Sequence, residues 1–535
     1  MPPCVWQNEP MPLLSEKQVV RQVASLMQAH GVSRCVLCPG SRNAPLSATL
    51  SSLFECRMVT DERSAGFTAL GWAAQTKAPV AVCVTSGSAL LNLHPAVAEA
   101  YYRRIPILIL TADRPTAWIG QQDGQTLPQQ GVFGSMVSAA FQTAEEDAWY
   151  SNRQINEALL TLASQRRPVH LNIPLSEPFF AMSEGTLPRE RVIRRGGEEE
   201  TLRQLLQQCP RRLLLVGQTL DEALPLRAFQ EAGFVIIGDC LAETEGLCVL
   251  PPDAAFASGR VGEEAVPDVL LTVGGCIVSK ALKNFFRQHR PKEHWHISRG
   301  AEVVDTFCCL TRVLEPAAAA ALPALCPNGG QAAADFAAQW HSLLQARPLS
   351  TAAYNAVSLV GRTLEALPAE AKLHLANSSA VRYANLFPMR GQAAECNRGV
   401  NGIEGSLSAA VGYAMGDARL NLLIIGDLSF FYDMNALWQP LPPRLRILLL
   451  NNGGGAIFKG LRGIPQADAV SAPHDGTAAA WAASRGLRTF TVHSWQDWEP
   501  ALAALTDETG DTPVLVEAFT DGAADAAAYQ AALMG

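Results

Sequence analysis

The chain has 535 residues, 48% hydrophobic and 17% charged, and its 42 basic and 50 acidic side chains give a formal charge of −8. That length predicts about three domains, and the composition excludes a disordered chain. The acidic balance excludes a nucleic-acid surface, since the one basic stretch (Arg189, Arg191, Arg194, Arg195) is broken by Glu190, and no apolar run is long enough to span a membrane.

From the start of the chain, Pro2, Pro3, Pro10 and Pro12 interrupt any apolar core that a signal peptide would need. The 13 cysteines are odd in number and scattered, which suits a reducing compartment and predicts a cytoplasmic location. Short β-branched or leucine-rich runs then alternate with helical stretches, the pattern of an α/β protein with mainly parallel sheets. In the first third the strands are predicted at Cys35–Cys38, Val80–Thr85, Ile107–Thr111 and Val169–Ile173. Cys35 and Cys38 have metal-ligand spacing, but without a second pair they read as buried strand residues. The charged, glycine-containing stretch Pro188 to Glu200 reads as a surface crossover. The middle third has strands at Leu213–Val216, Val235–Gly238 and Val269–Val273, with His294 and His296 alternating along another. Pro316 to Ala338, rich in Ala, Pro and Gly, reads as an interdomain linker. The last third has strands at Leu373–Ala376, Leu422–Gly426, Ile447–Asn451 and Val514–Ala518. Three consecutive α/β domains are predicted, over residues 1–187, 188–345 and 346–535.

Two of these strands carry the strongest chemical signal. One ends in Gly426-Asp427, and 25 positions after Asp427 the next has ended in Asn451-Asn452, followed by Gly453, Gly454 and Gly455. Parallel strands open on the same edge of a sheet, where ligands bind. A carboxylate, an amide oxygen and a backbone carbonyl there make half of an octahedral Mg²⁺ shell, which phosphate oxygens and water complete. Either motif alone is an ordinary turn; their order, spacing and strand context argue for a site.

The pair resembles the diphosphate-binding signature of thiamine diphosphate enzymes. That resemblance implies that Asp427, Asn452 and the Gly454 carbonyl hold Mg²⁺, or Mn²⁺ in its place. It places Gly426, Leu428 and Ser429 beside the cofactor, Leu428 standing where the family often has glycine. The segment Thr60-Asp61-Glu62-Arg63 opens a helix and resembles the one that carries the family's activating glutamate, hydrogen-bonded to the aminopyrimidine ring; a helix dipole alone also favours an acid at this position. Thr85, Gly87 and Asn92 recur in the pattern of the pyrimidine-binding domain. The family arrangement implies a homodimer or homotetramer with active sites at the subunit interface.

Four arginines follow probable strand ends, in Pro39-Gly40-Ser41-Arg42, Thr111-Ala112-Asp113-Arg114, Asn377-Ser378-Ser379-Ala380-Val381-Arg382 and Asn397-Arg398-Gly399. Each alone reads equally well as a solvated loop residue, but four suit a substrate with several carboxylates. Over nearly the whole chain these segments resemble the 2-succinyl-5-enolpyruvyl-6-hydroxy-3-cyclohexene-1-carboxylate (SEPHCHC) synthase family of menaquinone biosynthesis, least distinctively in the middle domain. The family's reaction decarboxylates 2-oxoglutarate and adds the resulting succinyl unit to isochorismate. By this resemblance Ser41, Arg42, Arg114, Gln125, Ser378, Arg382 and Arg398 contact substrates, Ile403 holds the cofactor bent, and Ile457 and Phe458 pack beyond it. Lys280 is a further substrate contact, although Ala281 follows it where some members have arginine and Lys283 is the nearest replacement charge. An acetolactate synthase-like carboligase or a 2-oxo acid decarboxylase is the alternative, with fewer arginines expected. Gln125, His94 and water remain open as later proton donors.

Overall fold

Alternate residues of the first strands feed two separate cores. Val36, Val80, Val82, Val84, Ile107 and Ile109 enter one, and Cys35, Leu37, Ala81, Cys83, Leu108 and Leu110 the other. A period of two with apolar residues on both faces is the mark of a sheet covered by helices on each side. A computed structural model describes residues 11–218, 224–243, 253–327, 330–344, 349–389, 394–459 and 467–534. Its contacts divide the chain into two units, residues 1–195 and 196–535.

The first unit contains β1 (Leu13–Ser15), β2 (Arg34–Leu37), β3 (Glu55–Met58), β4 (Val80–Val84), β5 (Ile107–Asp113), β6 (Ala140–Gln142), β7 (Val169–Pro174), β8 (Met182–Glu184) and β9 (Arg194–Arg195). Six of them form a parallel sheet in the order β3-β2-β4-β5-β7-β6, while β1 pairs antiparallel with β8. The chain leaves β2 toward one edge and returns at β4 on the other side, so the crevice beyond these two strand ends is the switch point where ligands bind.

The second unit holds two sheets. Strands β10 (Arg212–Val216), β11 (Phe234–Gly238), β12 (Val269–Val273), β13 (Glu293–Ile297) and β14 (Arg312–Leu314) run parallel in the order β11-β10-β12-β13-β14. Strands β15 (Lys372–Leu375), β16 (Asn421–Gly426), β17 (Leu445–Asn451), β18 (Arg488–Val492) and β19 (Val514–Phe519) run parallel in the order β15-β16-β17-β19-β18. All predicted strands are present, and Cys35 and Cys38 are buried as predicted. His294 and His296 lie on β13 and share the Thr272 hydroxyl, at 3.0 and 2.9 Å.

The predicted linker is mostly helical instead. Helices cover Pro316–Ala320, Leu322–Leu325 and Gly330–Leu344, with residues 328–329 outside the described residues. Two prolines stand at helix starts, where a missing N–H costs nothing, and alanine is the best helix former. The third helix buries Phe336 and Trp340 in the core of the β10 sheet, and the Trp340 indole donates to Ala265 O at 3.1 Å. The expected boundary near 345 falls where residues 345–348 lie outside the described residues.

Both sheets of the second unit carry a buried arginine at the strand-start edge. Arg212 donates to the carbonyls of Leu206, Cys209, Ala232 and Pro327. Arg446 donates to those of Pro443, Leu445, Asp507, Gly510 and Thr512. A rigid guanidinium fork satisfies carbonyls that helix ends and turns leave without partners. Among the described residues no helix is long and apolar enough to cross a membrane.

Candidate active site

In the first unit the strand ends at the switch point approach closely. A Cβ on Gly40 would lie 2.5 Å from the Thr85 Cβ, so the β2 loop meets the β4 loop only because residue 40 is glycine. Gly87 has φ 83°, and a Cβ there would lie 3.0 Å from the Gln125 Cα. The Gly87 amide donates to Gln129 Oε1 at 2.9 Å. Gln129 Nε2 donates in turn to Ala112 O at 3.1 Å and Asn172 Oδ1 at 2.8 Å. One buried amide thus fixes three strand ends. Beside it the hydroxyls of Thr85 and Ser86 are buried without a hydrogen-bond partner among the described residues. Such orphaned groups fit a polar ligand at this edge.

Glu62 opens the helix Glu62–Thr76, which Asp61 caps by accepting from the Ser64 amide at 2.8 Å. Burial, followed by the Glu62 and Asp61 carboxylates, pushes the Cys38 thiol up to about 12, so the negative charge of Glu62 is felt at the end of β2. Arg42 and Arg114 leave the ends of β2 and β5. The Arg42 guanidinium donates to Leu175 O at 3.0 Å and stacks 4.2 Å from the Phe179 ring centre. Arg114 donates to Gly124 O at 3.2 Å. Burial raises the Asp113 carboxyl, against hydrogen bonds from Asn172 and the Arg114 amide.

In the second unit Gly426 pairs with Leu450 across β16 and β17, so Asp427 and Asn452 leave the same sheet edge. Asp427 is 3% exposed, and its carboxylate gathers backbone amides. Oδ1 accepts from Leu428 at 2.6 Å, and Oδ2 accepts from Asn452 at 3.1 Å and Gly454 at 2.9 Å. The Asn452 amide nitrogen donates to Asp525 Oδ2 at 2.9 Å, which fixes the side chain and leaves its oxygen as a donor to a cation. At Gly454, with φ 138°, a Cβ would lie 2.6 Å from the Ser471 carbonyl. A Cβ on Gly426 would meet no atom of the described residues within 4 Å, so space is open beside Asp427. Carboxylate, amide and carbonyl oxygens suit Mg²⁺ or Mn²⁺.

These features have counterparts in known proteins. The family model for the thiamine pyrophosphate enzyme, N-terminal TPP binding domain, matches residues 17–136. The 2-succinyl-5-enolpyruvyl-6-hydroxy-3-cyclohexene-1-carboxylate synthase of Phocaeicola vulgatus is 44% identical over 95% of this chain and 96% of its own length. That of Bacteroides thetaiotaomicron is 43% identical over 96% and 98%, and that of Porphyromonas gingivalis 35% identical over 95% of each. The chain belongs to the SEPHCHC synthase family. It is therefore a thiamine diphosphate-dependent, carbon–carbon bond-forming transferase.

Within this synthase the predicted residues fall at strand-end edges in both units. In the first, Ser41, Asn92 and Gln125 are exposed and Gln125 has φ 58°; His94 Nε2 lies 3.2 Å from Val132 O. In the second, Ser378 (φ 70°) directly precedes the helix Ser379–Ala384 without a side-chain capping bond, and Arg382 is exposed on its last turn. Arg398 donates to Asn377 Oδ1 at 3.1 Å and reaches the Cys276 sulfur at 3.8 Å, so a loop of the β10 sheet touches this edge. Lys280 is exposed at the start of the helix Lys280–Gln288, while the Lys283 amine is engaged by Ile277 O at 2.9 Å. The Ser429 hydroxyl donates to Ile403 O. Phe458 is half-buried on Ala456–Lys459, and the Ile457 side chain lies outside the described residues.

Several supporting residues escaped the sequence reading. Asn377 Nδ2 donates to Asn397 O at 2.7 Å and Gly402 O at 2.6 Å, shaping the loop that carries Arg398 and Ile403. His474 accepts the Gly476 amide on Nδ1 at 3.1 Å and brings Nε2 to 3.3 Å from Asp427 Oδ2. Glu517 is fully buried and accepts from Asn451 Nδ2 at 2.8 Å and the amides of Ala478 and Ala479, each at 2.9 Å. Asn377 sits inside a quoted motif and was open to discovery there; His474 and Glu517 carry no local signal.

Proposed function

We propose that the chain decarboxylates 2-oxoglutarate and joins the succinyl unit to isochorismate, using Glu62 as activating carboxylate and Asp427, Asn452 and the Gly454 carbonyl as metal ligands. The observation that carries the reading is the Asp427 cradle, in which the adjacent ends of β16 and β17 bring the Asn452 and Gly454 amides onto the buried Asp427 carboxylate. Family membership and the arginines at the strand-end edges support the choice of substrates.

Bound thiamine diphosphate supplies the electron sink for loss of CO₂ and for the new carbon–carbon bond. Glu62 hydrogen-bonds the aminopyrimidine and governs where its proton is held. Asp427, Asn452 and Gly454 would hold Mg²⁺ or Mn²⁺ for the diphosphate, with Gly426, Leu428 and Ser429 as the neighbouring cofactor contacts. By the family resemblance Thr85, Gly87 and Asn92 would meet the pyrimidine, and Ile403, Ile457 and Phe458 would pack against the bound cofactor and help exclude water. Ser41, Arg42, Arg114, Gln125, Lys280, Ser378, Arg382 and Arg398 bind the carboxylates of the two substrates. We further propose domains over 1–187, 188–345 and 346–535, a cytoplasmic homodimer or homotetramer, and sites completed across the subunit interface.

The test is loss of isochorismate with purified protein, thiamine diphosphate, Mg²⁺ and 2-oxoglutarate, each omitted in turn. Consumption that requires every component and releases CO₂ is expected. Release of CO₂ with isochorismate untouched would instead make the chain a 2-oxo acid decarboxylase with a different acceptor.

A further inference from the structure

Arg42 and Arg114 converge on a single carboxylate oxygen of their own chain. Arg42 Nη2 lies 3.5 Å, and Arg114 Nη1 3.6 Å, from Glu177 Oε1. The two guanidiniums are also close enough to oppose one another: burial first, and then the charge of Arg114, lowers the Arg42 pKa, while Glu177 opposes the fall. Both arginines have further anchors. Arg42 is tied to Leu175 O and stacked on Phe179, and Arg114 is held by Gly124 O and by Asp123 at 3.3 Å. The Glu177 side chain is 68% exposed, against 5% for Arg42 and 21% for Arg114. The fixed partners are thus the cations and the solvent-facing partner is the anion.

We propose that Glu177 is a specificity-determining residue, an internal carboxylate between Arg42 and Arg114 that an incoming substrate carboxylate displaces. This rests on the reading that these two arginines bind substrate. Two like charges held side by side attract any small anion, and a tethered carboxylate present at high effective concentration keeps weak competitors away. A substrate anchored by additional groups displaces it; acetate, with one carboxylate and nothing else, does not. The tether lowers the affinity of every anion by the same factor, so at a given concentration only a ligand with further anchors still fills the site.

The experiment compares wild type with Glu177→Gln and Glu177→Ala, all loaded with thiamine diphosphate and Mg²⁺. Succinate and acetate binding are measured by calorimetry, and KM and kcat for both substrates by isochorismate consumption. Both variants should bind succinate and acetate at least about threefold more tightly and show a lower KM for one substrate, with kcat within about twofold. Unchanged anion affinity, or a KM that rises in both variants, overturns the proposal, the latter meaning that Glu177 holds the arginines in place. A wild type that binds succinate but does not consume isochorismate defeats the proposed function, while the calorimetric comparison still decides the role of Glu177.

Discussion

Glu62→Gln keeps the size and most of the hydrogen bonding of the side chain but removes its charge. Turnover should fall by about a thousandfold or more while thiamine diphosphate affinity stays within about threefold, since the carboxylate acts on the proton and not on the diphosphate. Fluorescence titration alongside the rate assay checks this, and near-normal turnover would remove the assignment. Gly454→Ala attacks the other half. Its Cβ would be driven to 2.6 Å from the Ser471 carbonyl at a φ of 138°, so the loop must shift and carry its carbonyl with it. The Mg²⁺ concentration for half-maximal activity should rise about tenfold or more, with a stability loss of about 1–3 kcal/mol by thermal melting. Residues of this kind were legible because a glycine or carboxylate at a strand end announces itself in the local sequence. Glu177, Gln129 and Glu517 were not, because their partners lie at other strand ends and only the folded sheet brings them together.

At the scale of elements, strands buried on both faces could be read from their apolar runs, whereas short or polar ones such as β3, β6 and β18 could not. The Ala- and Pro-rich composition of 316–344 reads as a linker, yet the segment is mostly helical. Its apolar face becomes apparent only once Phe336 and Trp340 have a sheet to pack against. The buried arginines give the element-scale prediction. Arg446→Met leaves the acceptors of five residues unpaired at the strand-start edge, about 17 Å along β17 from Asn451 at the usual strand rise. Stability should drop by about 3 kcal/mol in denaturant unfolding, and Arg446→Lys should restore little of it. The kcat of the folded fraction should stay near normal; a specific loss of Mg²⁺ affinity would show that the two edges are coupled.

For the whole molecule, two buried histidines set an acid limit. Burial lowers His170 to about 3 and His296 to about 4, each from an ordinary 6.5. The unfolded chain therefore takes up protons before the folded one, so their stabilising contribution is full above pH 6.5 and is lost as pH falls toward 3 to 4. His170→Gln should flatten the pH dependence of urea unfolding between about 6.5 and 3 by close to one proton, and an unchanged slope would contradict the burial argument. The proposed assembly makes a separate prediction. If Glu62 and Asp427 meet across a subunit interface, mixing inactive Glu62→Gln and Asp427→Ala chains under conditions of subunit exchange should restore about a quarter of the sites, and no recovery would place both residues in one chain's site. The placement of Arg212 and Arg446 also bears on engineering. With the carbonyls at the far edges already satisfied within the chain, a library confined to the exposed Lys280 and Arg382, beyond the ends of β12 and β15, changes what the protein selects while leaving those far-edge contacts untouched, so inactive clones from such a library should still be recovered as soluble, cooperatively melting protein.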